Sequence, residues 1–229
     1  MEINVAQGNV TVSQQSGSNI VIEGLASGSK EYIDGLQLKS EKQGTTAVYT
    51  AGYEKTNVTG QRYRGRTDIR VMVPEGISVT VNNDAGEVNV TGIREDVNVS
   101  IKMGTIRVAD IRGNLDASAS AGTIEVESAE ITDHVKLSNS LGEVKFDGTL
   151  GKTNAFSTSA GTVDISVPAD TCVSIHASVA AGEINSTLPV SEMSVDEPRA
   201  SASGQLGTGT PTGSLTIDVS VGEINISSR

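Results

Sequence analysis

The stretch Gly104-Thr-Ile-Arg-Val108 is one copy of a phrase that recurs along the chain and decides its fold. In each copy a glycine precedes a polar residue, then Val or Ile, another polar residue and usually a further aliphatic. Copies begin at Gly86, Gly104, Gly122, Gly142, Gly161, Gly182 and Gly222, with an outlying early copy at Gly8. From Gly86 to Gly182 the spacings are 18, 18, 20, 19 and 21 residues, and the last gap is 40. A period of about 20 residues with β-branched alternation predicts stacked coils.

Strand-like alternation flanks every glycine of the repeat. In the segment before the glycine, apolar residues alternate with polar ones, as at Ile77, Val79 and Val81. In the segment after it, aliphatic residues occupy the second and fourth positions after the glycine. Such alternation puts one face of a strand inside and the other outside. Two short strands and two turns use up one repeat. The sequence therefore predicts an all-β fold, a single parallel β-helix-like solenoid with rungs of about 18–21 residues, irregular N-terminal coils and one long loop before the last coil.

Stacked rungs predict ladders of equivalent side chains about 4.8 Å apart. The third residue after each glycine should point outward and form one such ladder. That position holds Asn89, Arg107, Glu125, Lys145, Asp164, Asn185 and Asn225. The charges alternate in sign over four consecutive rungs, which is the order in which neighbours attract one another. This alternation predicts that the four charged side chains share one face.

Three further columns follow from the same alignment. Four residues before the glycine, an outward column of small polar residues holds Asn82, Ser100, Ser118, Ser138, Ser157, Ser178 and Asp218. The column directly after the glycine holds Glu87, Thr105, Thr123, Glu143, Thr162, Glu183 and Glu223. Threonines separate Glu87, Glu143 and Glu183, which indicates avoidance of stacked like charges rather than a metal site. The residue before the glycine is always apolar and is interpreted as an inner corner. It is Ala85, Met103, Ala121, Leu141, Ala160, Ala181 or Val221.

The predicted organisation is one β-solenoid domain over residues 1–229. Residues 1–76 are expected to form irregular N-terminal coils and a cap, 77–187 the regular rungs, 188–213 an inserted loop and 214–229 the last rung. The cap holds strands expected at 20–22, 36–38, 46–50 and 68–73. It also holds all four tyrosines and the basic cluster Arg62, Arg64, Arg66 and Arg70. The candidate partner surfaces are a flat strand face, the cap at 30–70 and the loop at 188–213, which is rich in Gly, Ser, Thr and Pro.

Composition excludes some partners. The net charge is −11, and residues 77–229 carry all of the excess negative charge. Nucleic acid and anionic membrane surfaces should repel such a chain. A single cysteine, Cys172, allows no intrachain disulfide. No apolar run approaches the roughly 20 residues of a membrane span, and the N-terminus carries no signal-peptide pattern. The protein is therefore either cytoplasmic or a mature fragment whose signal or anchor was left out.

No motif of known chemistry stands in the sequence. The two histidines, His134 and His176, begin no metal-ligand spacing, and nucleotide-binding loops, nucleophile elbows and Cys-x-x-Cys pairs are missing. Carboxylates such as Glu125 and Asp164 could pair for glycoside chemistry, but that chemistry usually adds sugar-stacking aromatics, and the repeat region offers Phe146 and Phe156 alone. The sequence predicts no catalytic residues, no metal ligands, no cofactor-binding residues and no cofactor.

The residues resemble a known family. The runs Thr67-Asp-Ile-Arg-Val-Met-Val-Pro-Glu-Gly76 and Val79-Thr-Val-Asn-Asn-Asp-Ala-Gly-Glu-Val-Asn-Val90, the repeated Ser-x-Ala-Gly-Thr-Ile/Val, and Leu206-Gly-Thr-Gly before the last copy are similar to the bacterial putative-adhesin family of β-strand repeat proteins. Its domain is also called toastrack. The resemblance covers nearly the whole chain. It implies a β-helix-like solenoid and supplies no catalytic residue, and some members resemble parts of membrane-linked envelope-stress systems.

These observations predict a non-enzymatic binding or scaffold module of the bacterial cell envelope. Its partner is expected to be an unidentified protein or glycan at the cell surface or elsewhere outside the cytoplasm. Two alternatives remain open. One is an envelope-stress sensor that pairs with membrane proteins. The other is a polysaccharide-acting enzyme on a β-helix, which a groove of clustered carboxylates with basic partners would favour.

Overall fold

The computed structural model of the chain describes residues 1–53, 65–196 and 198–229, and it is built almost entirely from strands. In chain order the elements are β1 (Glu2–Val5), β2 (Val10–Gln14), β3 (Val21–Gly28), α1 (Lys30–Gly35), β4 (Leu36–Gln43), β5 (Thr46–Tyr53), β6 (Gly65–Val73), β7 (Val79–Thr91), β8 (Val97–Ala109), β9 (Arg112–Thr149), β10 (Thr153–Val167), β11 (Val173–Ser186), β12 (Val190–Asp196), β13 (Arg199–Leu206) and β14 (Ser214–Ser228). The all-β, mostly parallel architecture confirms the predicted fold class.

Each glycine copy lies at the bend of one rung. In β7, Val79 and Val81 are buried before the bend and Val88 and Val90 after it. The same pattern repeats in β8, twice within the long strand β9, and in β10, β11 and β14. We call the part of a rung before its glycine the first half and the part after it the second half. The two halves turn their alternate aliphatics into one hydrophobic cluster, as the period-2 pattern predicts.

A column of glycines runs along the bends. The backbone φ of these glycines lies between +125° and +147°, a region that favours glycine. They are Gly86, Gly104, Gly122, Gly142, Gly161, Gly222 and Gly182, in spatial order. A Cβ added at any of these positions would lie 1.7 to 2.0 Å from the carbonyl oxygen of the stacked glycine before it in the column. Gly86 stacks in the same way on Gly8. The repeat therefore keeps its glycine because both the torsion angle and the close approach of the next rung exclude a side chain.

The chain does not stack its rungs in sequence order at the C-terminal end. β14 pairs in parallel with β10 on one side and with β11 on the other, so that Ile217 lies between Phe156 and Ala177. The expected last rung is therefore the second-to-last in space. The long connection before β14 would let this rung pair with either side of β11. The repeat spacing is the same in both arrangements and does not distinguish them.

The segment expected as an inserted loop contains two strands. β12 and β13 form an antiparallel hairpin, and β13 also pairs antiparallel with the first half of β11. The hairpin covers the side of β11 that β14 leaves open. It therefore extends only the first half-sheet, the one built from the first halves of the rungs.

The N-terminal part is more regular than expected. β1 and β2 form a complete rung around Gly8, because β1 pairs with β5 and β7 while β2 pairs with β6 and β7. The strands predicted at 20–22, 36–38, 46–50 and 68–73 are present as the longer strands β3 to β6. β3 and β4 pair antiparallel with β6 and β5 and cap this end.

The apolar residue before each glycine lies on the outside, so its interpretation as an inner corner is wrong. Met103, Leu141 and Val221 are 62 %, 57 % and 56 % exposed. Alternation alone would turn this residue inward, but the strand pairing skips the second residue before the glycine, and the glycine itself has a positive φ. The interior of the corner is filled instead by residues such as Ile101 and Val88.

The charged ladder is confirmed. Arg107 pairs in register with Glu125, its Nε donating to that carboxylate over 3.1 Å, and Lys145 pairs with Asp164. Asn225 follows and donates to Asp164 over 2.9 Å, before Asn185 ends the row. The four alternating charges thus share one face.

In the column directly after the glycine, threonines separate Glu87, Glu143 and Glu183 as expected. The fourth glutamate, Glu223, is stacked directly on Glu183 with no threonine between them. The amide of Asn185 donates to Glu223 over 2.8 Å, which offsets part of the repulsion between the two carboxylates.

Candidate functional site

The hairpin β12–β13 builds a groove at the C-terminal end of the solenoid. The groove has a volume of about 640 Å³ and lies between the hairpin and the first halves of β11 and β14. Its polar lining comprises Ser178, Ser194, Asp196, Arg199, Ser201, Asp218 and Ser220. The hairpin residues of this lining fall within residues 188–213, singled out from sequence as a candidate partner surface, whereas Ser178, Asp218 and Ser220 belong to the neighbouring rungs.

Strand pairing fixes the position of these side chains. Ser178 faces Ser201, and Ser201 faces Ser194, so the small polar column of the rungs continues across the hairpin. Asp196 and Arg199 form the last pair before the hairpin turn. The backbone N–H of Gly182 donates to the carbonyl of Pro198 over 2.9 Å and ties that turn to the corner of β11.

The groove brings together groups of opposite charge and several hydroxyls. Ser178 Oγ donates to Asp218 Oδ1 over 2.8 Å, and Asp218 occupies a position that serine fills in five other rungs. Carboxylates accept hydrogen bonds and a guanidinium donates several, so the groove can hold a ligand that both donates and accepts. None of these side chains forms a nucleophile–base pair like those that catalyse acyl transfer.

A second depression, of about 750 Å³, lies on the other side of the hairpin turn. Ile184, Val195, Pro198 and Ala200 give it an apolar wall, and Val195 is 70 % exposed. Together the two depressions flank the hairpin turn, with Asp196 lining the first and Val195, Glu183 and Asn185 lining the second.

The charged ladder borders a third, smaller depression of about 310 Å³. Glu125, Asp147, Asp164 and Lys145 lie around it. Lys145 Nζ lies 2.8 Å from a carboxylate oxygen of Glu143, and this hydrogen bond raises the pKa of the lysine. Asp147 pairs with Arg229 over 2.6 Å. Clustered carboxylates with basic partners are what the enzyme alternative requires.

Sugar-stacking aromatics do not border this third depression. The side chain nearest to that role, Phe146, is 2 % exposed and packs edge-on against Phe156 with ring centroids 5.4 Å apart. Both phenylalanines of the repeat region therefore belong to the core.

The remaining sequence candidates lie apart from one another. His134 is partly exposed, 3.4 Å from Asp116, and His176 points outward from β11. Cys172 is buried next to the start of β11. Of the basic cluster, Arg66 pairs with Asp68 over 3.1 Å and Arg70 lies on β6, whereas Arg62 and Arg64 fall outside the described residues. Across the described ranges no group of His, Cys, Asp and Glu could hold a metal ion.

Sequence reasoning missed the polar pair at the hairpin turn. Asp196 and Arg199 flank Glu197-Pro198, a turn signal of the kind that joins two antiparallel strands. Because the composition of residues 188–213 suggests a loop, the short alternation of Met193 and Val195 within it gives too weak a strand signal to stand out.

Within the described part of the chain, no helix has the length and apolar character needed to cross a membrane.

Comparison with known proteins supplies a family. The family Toastrack DUF4097 matches residues 1–214. No curated protein matches the chain. A putative cell adhesion protein from Clostridium sporogenes ATCC 15579 is 16% identical, with 100% of this chain and 91% of that chain covered, at a TM-score of 0.36. A putative adhesin from Bacteroides fragilis NCTC 9343 is 11% identical, with 98% and 90% covered, at a TM-score of 0.42.

Proposed function

The chain belongs to the Toastrack DUF4097 family, and from that premise we propose that it is a non-enzymatic binding module of the bacterial cell envelope. The binding site is the groove between the hairpin β12–β13 and the first halves of β11 and β14. The ligand is a protein or a glycan at the cell surface or elsewhere outside the cytoplasm. The whole chain forms one domain that presents this site.

One observation carries the proposal. The hairpin departs from the repeat at the C-terminal end, and its turn holds Asp196 and Arg199 beside Asp218 of β14. Stacked rungs supply a stiff support, since each rung is held by a neighbour on both sides. A site on a rigid support loses little conformational entropy when it binds.

The chemistry of the groove suits a polar ligand. It offers two carboxylates, one guanidinium and four serine hydroxyls within about 640 Å³. Hydroxyl-rich glycans and extended peptide segments both donate and accept hydrogen bonds, so both can match this lining. The net negative charge of the chain gives cationic partners a faster approach than anionic ones.

The test is co-sedimentation of the purified protein with cell envelopes isolated from the source bacterium. We expect the parent protein to sediment with the envelopes and the double variant Asp196→Ser/Asp218→Ser to stay in the supernatant. The matched control is Glu95→Ser/Asp170→Ser, which removes the same charge from exposed positions away from the groove and should sediment like the parent. Protease treatment of the envelopes abolishes binding if the ligand is a protein, and periodate treatment abolishes it if the ligand is a glycan.

Two outcomes would contradict the proposal. One is equal sedimentation of the parent and the groove variant. The other is release of reducing ends from envelope polysaccharide, lost in Glu125→Gln and Asp164→Asn, because the carboxylates of the third depression would then be catalytic. That second outcome would establish the enzyme alternative, whose supporting observation is the cluster of Glu125, Asp147, Asp164 and Lys145.

A further inference from the structure

An exposed apolar ridge runs along the outer edge of the bends. It is formed by the residue before each glycine, and strand pairing joins these residues rung to rung. In spatial order the ridge reads Ala85, Met103, Ala121, Leu141, Ala160, Val221 and Ala181. Neighbouring rungs are about 4.8 Å apart, so the ridge is about 30 Å long.

Large and small side chains alternate strictly along this ridge. Met103, Leu141 and Val221 project into solvent, each more than half exposed, and every neighbour of these three on the ridge is an alanine. The alternation exists only because β14 lies between β10 and β11. In chain order Ala160 and Ala181 would be adjacent and Val221 would stand at the end.

We propose that the apolar ridge binds a second copy of this chain, running antiparallel to the first. When the second copy runs antiparallel and is shifted by one rung, each projecting side chain of one copy lies opposite an alanine of the other. In the proposed register Leu141 lies opposite the Ala160 position of the second copy. Met103 then lies opposite the Ala181 position, and Val221 opposite Ala121. Contact of this kind removes apolar surface from water on both copies.

The charged side chains beside the ridge select this register. The column directly after the glycine then sets each glutamate opposite a threonine. Glu143 meets Thr162, Glu223 meets Thr123, and Glu183 meets Thr105. A threonine hydroxyl can donate to a carboxylate, so these contacts are favourable. The other offset, with Leu141 opposite Ala121, would set Glu87 opposite Glu223, and like charges at that distance repel.

The ends of the ridge are also complementary. In the antiparallel ladder Ala200 pairs with Val179, so Arg199 lies level with Ala180, one strand beyond β11. The proposed register sets this position opposite Asp84 of the other copy. Asp84 already lies 2.6 Å from Lys102 in its own copy, so Arg199 of the other copy adds a second cation to that pair. Two-fold symmetry places one such contact at each end of the interface.

The ridge is narrow, so the interface belongs to the small class that associates reversibly. We expect a concentration-dependent monomer–dimer equilibrium, measured by sedimentation velocity over a dilution series. The variant Met103→Ser/Leu141→Ser should stay monomeric throughout the series. The matched control Leu25→Ser/Leu38→Ser changes two exposed leucines away from the ridge and should dimerise like the parent. A parent protein that is monomeric at every concentration, or a dimer that the ridge variant leaves intact, would overturn the proposal.

The register has its own test, made in a Cys172→Ser background. An equimolar mixture of Leu141→Cys and Ala160→Cys proteins should oxidise to a disulfide-linked dimer faster than either protein alone, because these two positions face each other across the interface. Equal rates for the mixture and for each protein alone would overturn the register. Both tests read oligomeric state rather than envelope binding, so their outcome is independent of the proposed function.

Discussion

At the residue scale, the glycine column is the feature that fixes the rungs. Gly122 has a φ of +137°, and a Cβ added there would lie 1.8 Å from the Gly104 carbonyl oxygen. We expect Gly122→Ala to lower the free energy of unfolding by about 3 kcal/mol or more, because strained torsion and backbone overlap add. Urea-induced unfolding followed by circular dichroism measures this loss.

The control for that substitution is Gly92→Ala. Gly92 also has a positive φ, +74°, but no atom lies within 4 Å of its added Cβ. The torsional penalty alone is about 1 to 2 kcal/mol. If Gly92→Ala destabilised the protein as much as Gly122→Ala, close stacking of the glycines would not be the reason for their recurrence.

At the element scale, the insertion of β14 depends on a buried amide in β10. Asn154 is 1 % exposed, accepts from the Gly151 N–H over 2.8 Å, and donates to the carbonyls of Gly151 and Ser214 over 2.9 Å and 2.8 Å. It thereby ties the turn before β10 to the first residue of β14.

We expect Asn154→Ala to cost about 2 to 4 kcal/mol of unfolding free energy, because it leaves buried backbone groups without partners. Thermal unfolding by calorimetry checks this. Asn98→Ala, at an exposed position of β8, should change stability by less than about 0.5 kcal/mol. A loss as small for Asn154 as for Asn98 would show that β14 is held by stacking alone.

The regular rungs were predictable because their signal is local. Glycine spacing gave the rung length, and the sign alternation from Arg107 to Asp164 gave the register, since both depend on contacts between neighbouring repeats. The direction of the residue before each glycine was not predictable in this way. Met103 obeys period-2 alternation in sequence, but the bend at Gly104 reverses its face.

The hairpin and the position of β14 could not be predicted from the sequence, for a different reason. A gap of 40 residues between Gly182 and Gly222 is compatible with a rung on either side of β11. The choice depends on long-range pairing, which no local pattern encodes. The same reasoning from composition located the candidate partner surface within residues 188–213, but it did not identify Asp196 and Arg199 as its polar pair. Binding at that groove stays a prediction.

At the scale of the whole molecule, both end segments of the chain lie inside the stack. The rung of β1 and β2 is enclosed by β5, β6 and β7, and β14 is enclosed by β10 and β11. The outermost strands are the antiparallel β3 and β4 at one end and the hairpin at the other. Irregular strands thus cover one end of the regular stack and, at the other end, the first half of β11, which limits the unpaired backbone left for edge-to-edge association.

Disulfide formation between engineered cysteines tests the order of the rungs most directly. In a Cys172→Ser background, Ser157→Cys/Asp218→Cys places two thiols on neighbouring rungs, about 4.8 Å apart and within reach of a disulfide. Ser157→Cys/Ser178→Cys places them two rungs apart, at about 9.6 Å, beyond that reach. The account predicts that mild oxidation links the first pair and leaves the second pair reduced. Oxidation of the second pair with the first left reduced would mean that β14 does not lie between β10 and β11.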